Sequence, residues 1–237
     1  NVRRPPTRMS QQPLMGTDNE SLGADGLPEM SDNERDANER AGRRMLLPAA
    51  LVPTAVGLAI AFAVYKLTGG SGADAKIAAV KANDVHWAML SAFIVIRVVS
   101  FANMFPTVYK GRVMRYKSGN LRANPFIYTT QGGGPGPSGA VVMVADGDAG
   151  MYNRANRSLH HLVENMAGLL VGAPLASWCF PRAVCATTAV WGLGRVLHQV
   201  GYTKGYGSHA LGFMLSTLAV ETIGGMLLLV FIKCAAA

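Results

Sequence analysis

Apolar residues fall in five long blocks, at 45–67, 85–109, 159–180, 183–202 and 211–232, separated by polar or Gly/Pro-rich stretches. Each block approaches the roughly 20 apolar residues that a helix needs to cross a bilayer core, so the pattern predicts five transmembrane helices. The first block, MLLPAALVPTAVGLAIAFAVYKL, carries Pro48 and Pro53. Both are expected in its first turns, where a missing amide proton costs least. A Gly/Ser stretch at 68–72 ends it. Ahead of it, residues 1–44 are rich in Asn, Asp, Glu, Arg and Pro and have no apolar periodicity. Taken alone, that segment is expected to be disordered. Within the long connection 110–157, the stretch QGGGPGPSGA at 131–140 predicts a flexible insert with neither helix nor strand.

Composition narrows the class. With 50% hydrophobic residues, 15% charged residues and a mean hydropathy of +0.22, the chain is too apolar for an ordinary soluble domain. Eight of the fourteen acidic residues lie between positions 18 and 39, so charge is kept out of the apolar blocks. The net charge of +8 raises the question of nucleic acid, but the bases flank apolar runs and form no basic stripe. They act instead as topology determinants. Arg43, Arg44, Lys110, Arg112, Arg115, Lys117, Arg122, Arg154 and Arg157 fall on one alternating set of connections. The other set offers Lys76, Lys81 and Arg182, with Asp74 and Asp84 in balance. That asymmetry supports five spans and turns the polar segment toward cytosol, stroma or matrix. The acid-free opening 1–17, with Arg3, Arg4 and Arg8, is compatible with the remnant of a targeting segment. A processed organellar protein whose polar tail is pinned by neighbouring subunits is the corresponding expectation. Cys179, Cys185 and Cys234 are odd in number and sit in or beside apolar runs, so buried free thiols are expected rather than a disulfide framework.

Ionisable residues inside apolar blocks are costly unless they face a partner, the bundle interior or water. Arg97, Glu164, Arg195, His198 and Glu221 are such residues. Two resolutions stay open: interhelical ion pairs, such as Arg97 or Arg195 with Glu221, or a ligand pocket. Arg157, His161 and Glu164 stand at i, i+4 and i+7 on one helical face, and Arg195, His198 and Tyr202 at i, i+3 and i+7 on another. A cation, an imidazole and a carboxylate on one face suit a small zwitterionic ligand, with Arg taking a carboxylate and Glu an ammonium group. His160, His161, His198, His209 and Glu164 are metal ligands by type, but no HxxxH or HExxH spacing joins them on one helix.

The stretch YNRANRSLHHLVEN at 152–165 resembles the F-x-R-A-x-R-A-H-x-N-x-x-E pattern of the membrane-associated eicosanoid and glutathione metabolism (MAPEG) family. GRVLHQVGYTKGY at 194–206 resembles that family's G-R-x-L-Y-x-x-G-Y segment, and VMRYKSGNLRANPFIY at 113–128 looks like the basic connection of its third microsomal glutathione S-transferase type. The resemblance covers about 85–232. It implies an all-α, integral membrane four-helix bundle, here with one additional N-terminal transmembrane helix at 45–67 and a polar N-terminal extension at 1–44. It also implies trimerisation, with glutathione between subunits, and places Arg157, Glu164, Arg195 and Tyr202 at glutathione-contacting positions. Where the family carries a glutathione-binding Asn and a Tyr, this chain has His161 and His198. Lys204 and His209 lie where an arginine that activates the thiol is expected, and a neutral imidazole stabilises a thiolate poorly. Small residues within the blocks (Gly168, Gly172, Ala173, Gly192, Gly194, Gly224, Gly225) suit close helix contact.

Two functions follow as expectations. One is a MAPEG-like accessory subunit with a degenerate glutathione site, embedded in the lipid bilayer among other subunits of a photosynthetic or respiratory complex, in a plastid thylakoid or mitochondrial inner membrane. The other is an active glutathione transferase or peroxidase acting on lipophilic electrophiles or lipid hydroperoxides, with the endoplasmic reticulum as the alternative location. A pigment or lipid holder is a third, weaker expectation.

Overall fold

The computed structural model describes Gly23 and residues 27–114, 124–131 and 139–236. Among these residues the chain is helical apart from one hairpin. The order is α1 (Asp32–Leu67), α2 (Gly70–Ala82), α3 (Val85–Val113), β1 (Tyr128–Gln131), β2 (Ala140–Met143), α4 (Gly147–Glu164), α5 (Ala167–Ser177), α6 (Pro181–Lys204) and α7 (Ala210–Ala235).

The polar extension is not irregular throughout. Ser31 caps α1 by accepting a hydrogen bond from Glu34 N at 3.3 Å, and Asp32 and Glu34 face the positive end of the helix dipole. Residues 32–44 then run as helix straight into the apolar stretch, because their polar side chains find partners on α3 and α4. Arg112 Nη1 donates to Asp36 Oδ1 at 2.7 Å and to Glu39 Oε2 at 2.8 Å, and Arg112 Nε donates to Asp148 Oδ1 at 2.6 Å. Arg35 Nη1 reaches the other Asp148 oxygen at 3.0 Å, and Asn38 donates to Gly111 O at 2.9 Å. Burial raises the Asp148 carboxyl, but the hydrogen bonds from Arg112 and Arg35 outweigh it and hold the group below the usual carboxylate range. Residues 1–22 of the expected tail lie outside the described residues. So do Arg115, Lys117 and Arg122, counted above for topology.

Because α1 starts at Asp32, Pro48 and Pro53 sit in the helix interior rather than in its first turns. They withhold amide donors from the carbonyls four residues back. Three helices, α1, α3 and α7, are long and apolar enough to cross a membrane. Of the five spans that the sequence pattern predicts, these three meet that test by length and composition. The third block is broken at Asn165 and Met166, whose amides bond carbonyls only three residues back, Leu162 O at 3.2 Å and Val163 O at 3.3 Å. Its second part, α5, has 11 residues, a rise of about 16 Å. α6 has the length, at 24 residues, but carries Arg195, His198, Gln199 and Lys204.

The connection 110–157 is also more ordered than expected. The ends of the Gly/Pro stretch pair with each other, Gln131 opposite Ala140, as the last rung of an antiparallel hairpin. Residues 132–138 lie outside the described residues. Asn153 on α4 ties the base of the hairpin down: it accepts from Ile127 N at 2.8 Å and donates to Ile127 O at 2.8 Å and Val144 O at 2.9 Å.

Val98, Leu162, Leu169, Trp191 and Ile223 centre one core, joining α3 to α7, and Phe105, Tyr109 and Tyr152 a second between α3 and α4. α6 and α7 meet backbone to backbone. A Cβ at Gly212 would stand 2.2 Å from His198 N, and one at Gly194 would stand 2.7 Å from Ser216 N, so both positions require glycine. α1, in contrast, buries none of its residues. Leu51, Ile60 and Phe62 present an apolar surface suited to hydrocarbon. The cysteines are free as expected, but only Cys185 is buried; Cys179 and Cys234 are exposed.

Candidate functional site: a ring-filled polar seam

The backbone contact at Gly194 and Gly212 draws the first turn of α7 against the last turns of α6, and α4 closes the third side. The predicted residues converge there, but on one another. The His161 ring stacks on His198 at 5.2 Å between centroids, and His198 stacks on Tyr202 at 5.4 Å with their planes 10° apart. His209, at the start of α7, sets its ring edge-on to both, 5.4 Å from His198 and 5.0 Å from Tyr202. Phe213 closes the stack 5.9 Å from His161. His198 is locked by Ser158, whose hydroxyl lies 2.9 Å from His198 Nδ1.

Arg195 is buried, 4% exposed, and among the described residues it forms no ion pair with a carboxylate. Its Nη1 lies 3.2 Å from His161 Nδ1 and its Nη2 donates to Ser158 O at 3.2 Å, while Nε has no partner among the described residues. Arg157 and Glu164 bind each other across two turns of α4 at 2.7 Å. The zwitterion-binding groups of that face are therefore mutually satisfied rather than turned toward an open site. His160 leaves the cluster and packs edge-on against Phe126 at 5.0 Å. Lys204 is exposed at the end of α6.

The proposed ion pairs with Glu221 do not form. Arg97 faces α1 instead, bonded to Thr54 Oγ1 and to Ala50 O at 3.4 Å. Arg195 and Glu221 line one cleft of about 180 Å³ between α6 and α7, together with Trp191, Phe213 and Thr217, without a hydrogen bond between them. Several participants escaped the sequence reading. Gln199 donates to Ala155 O at 2.8 Å and Arg154 to Thr203 O at 3.1 Å, and both bonds bind α4 to α6. The i+4 spacing of Arg195 to Gln199 was the available signal. Ser158 and Phe213 gave none, because hydroxyls and rings in apolar helices are ordinary.

Fold and seam together define an all-helical protein with three membrane-length apolar helices and a histidine-rich polar seam at one end of its bundle. Comparison with protein-family models, with curated proteins and with solved structures returned no match.

Proposed function

We propose that the chain is a non-catalytic, multi-pass membrane subunit of a larger organellar assembly. In this reading it descends from a MAPEG-like bundle whose glutathione site has closed, and α4 with α5 and α6 complete a five-span arrangement with α1 as the added helix. One observation carries the reading. The groups that would hold glutathione are spent on one another: Arg157 on Glu164, and Arg195 on His161 and the Ser158 carbonyl, with four rings filling the space between α4, α6 and α7. The buried Arg195 and His198 are held in place by these contacts, which rigidify the bundle, while the Arg157–Glu164 pair closes on itself at the surface. The bare apolar surface of α1 gives such a subunit a face for lipid or for neighbouring chains. A thylakoid or mitochondrial inner membrane is the proposed location.

The second reading, a membrane glutathione transferase or peroxidase, is favoured by the unpartnered Nε of Arg195 beside the 180 Å³ cleft. Titration calorimetry of detergent-solubilised protein with glutathione separates the two. The subunit reading expects no heat of binding up to millimolar ligand and no conjugate with a chloronitrobenzene. Saturable binding that Arg157→Ala abolishes would replace it with the enzyme.

A further inference from the structure

Arg195 and Glu221 share the cleft of about 180 Å³ between α6 and α7, yet among the described residues no hydrogen bond or ion pair joins them. At the helical rise, Arg195 lies about 14 Å back from the end of α6 and Glu221 about 17 Å beyond the start of α7. The inner wall, with Arg195, Trp191 and Leu162, is buried. The outer rim, with Asn165, Thr217 and Glu221, is exposed. The cleft therefore runs from a buried cation to an exposed carboxylate.

Two observations point to an occupant. Arg195 is 4% exposed, and its Nε is a buried donor with no partner among the described residues. An unmet donor of this kind costs free energy that a ligand's acceptor recovers. Size and surroundings are the second. The cleft falls short of the roughly 300 Å³ that encloses a drug-sized ligand, so it admits a small head and leaves the rest of the molecule outside. Val163 on α4 and Met214 and Leu218 on α7 are exposed near the rim residues, on a helix long and apolar enough to cross a membrane. That surface suits an alkyl chain.

The charge pattern selects the head. A carboxylate gains Arg195 but meets Glu221, and an ammonium gains Glu221 but meets Arg195. A free zwitterion matches both, but it must cross hydrocarbon to reach this depth. A carboxamide is neutral and offers an acceptor oxygen at one end and N–H donors at the other.

We propose that this cleft binds the head of a neutral, amide-bearing lipid. The amide oxygen accepts from Arg195, the amide N–H is directed to Glu221, and the chain runs out over Met214 and Leu218. The inference goes beyond the subunit reading and does not rest on it.

The test uses the full chain in dodecylmaltoside micelles, with Trp87→Phe and Trp178→Phe leaving Trp191 as the single tryptophan. The probes share an alkyl chain brominated beside the head and differ in the head alone: amide, methyl ester, carboxylate or amine. They are compared at about pH 8, where the last two are ionised. Bromine quenches Trp191 when the head is seated in the cleft. The expected result is saturable quenching, with the amide half-saturating at a mole fraction about tenfold below the other heads, the worth of one hydrogen bond to a charged group. Arg195→Met should weaken the amide about tenfold, and Glu221→Gln should admit the carboxylate. Val220→Phe, which fills the cleft, should abolish saturation for every head. The comparison of heads on the parent needs no cleft variant, so a misfolded variant does not rescue the idea. Quenching that rises linearly without saturation overturns the proposal, as does a carboxylate or amine that outbinds the amide in the parent. So does amide binding unchanged in an Arg195→Met protein that melts like the parent. Glutathione is titrated separately: a heat of binding removes the subunit reading and leaves the head selectivity standing, whereas loss of head selectivity removes the lipid site alone.

Discussion

Two arginines, Arg112 and Arg195, stand at two joints of the molecule and are treated in opposite ways. Arg112 is met by the carboxylates of Asp36, Glu39 and Asp148 within 2.8 Å. Arg195 is more deeply buried and meets an imidazole nitrogen and a carbonyl oxygen, both at 3.2 Å. The first joint is a clasp held by charge; the second is a seam held by contact, with Gly194 and Gly212 bringing the backbones of α6 and α7 together. Compensated charge at the clasp indicates architecture. An uncompensated buried cation adds little stability and more often marks a place where a ligand site is or was.

If contact holds the seam, the largest effect belongs to the glycine there. Gly212→Val forces a side chain against His198 N and should cost about 3 kcal/mol or more in thermal unfolding in detergent micelles, as overpacking does. A near-neutral result would mean that the α6–α7 contact is looser than the backbone geometry implies. Arg112→Met comes next. It removes the shared cation from three carboxylates, of which Asp148 keeps Arg35 and Glu39 keeps Arg43, and should cost about 1–2 kcal/mol, reduced from the fully buried case by solvent. High salt should erode the parent's stability while leaving that of Arg112→Met nearly flat.

Acid should act on the clasp as well. The folded pKa of Asp148 is depressed, so its contribution is complete above the unfolded carboxyl value, about 3.9, and is lost as pH falls through the lower folded value. Unfolding followed from pH 6 downward should show this loss, and Asp148→Asn should flatten the profile in that window. The smallest effect is expected for Arg195→Met: a change of less than about 1 kcal/mol of either sign, since removing the unpaired cation offsets the lost bonds to His161 and Ser158. A cost as large as that of Arg112→Met would abolish the contrast between the joints.

Much of the helical layout was legible because apolar blocks of bilayer length are a coarse signal that no single residue controls. α3, α6 and α7 lie where the blocks at 85–109, 183–202 and 211–232 placed them. The errors were local. The Ser31–Glu34 cap was written in the sequence, yet the absence of apolar periodicity masked the helical residues 32–44, whose Asp36 and Glu39 find their partner Arg112 more than seventy positions away. The break at Asn165 and the pairing of Gln131 with Ala140 depend on backbone hydrogen bonds that no composition window reports. Helical spacing placed Arg157, His161 and Glu164 on one face of α4 and His198 with Tyr202 on one face of α6, because i, i+3 and i+4 periodicity aligns side chains along a helix. It did not show that these faces turn toward each other, nor that Arg157 and Glu164 satisfy one another along α4.

The clasp and the continuity of α1 together make this helix a depth gauge. Its 36 residues form one rod, about 54 Å long at the helical rise, with its polar end bolted to α3 and α4. Such a rod cannot slide to suit a thicker or thinner bilayer. Mismatch is therefore passed to the far end, where Tyr65, bonded to Asp74 of α2 at 2.6 Å, and Lys66 are positioned to take up the difference.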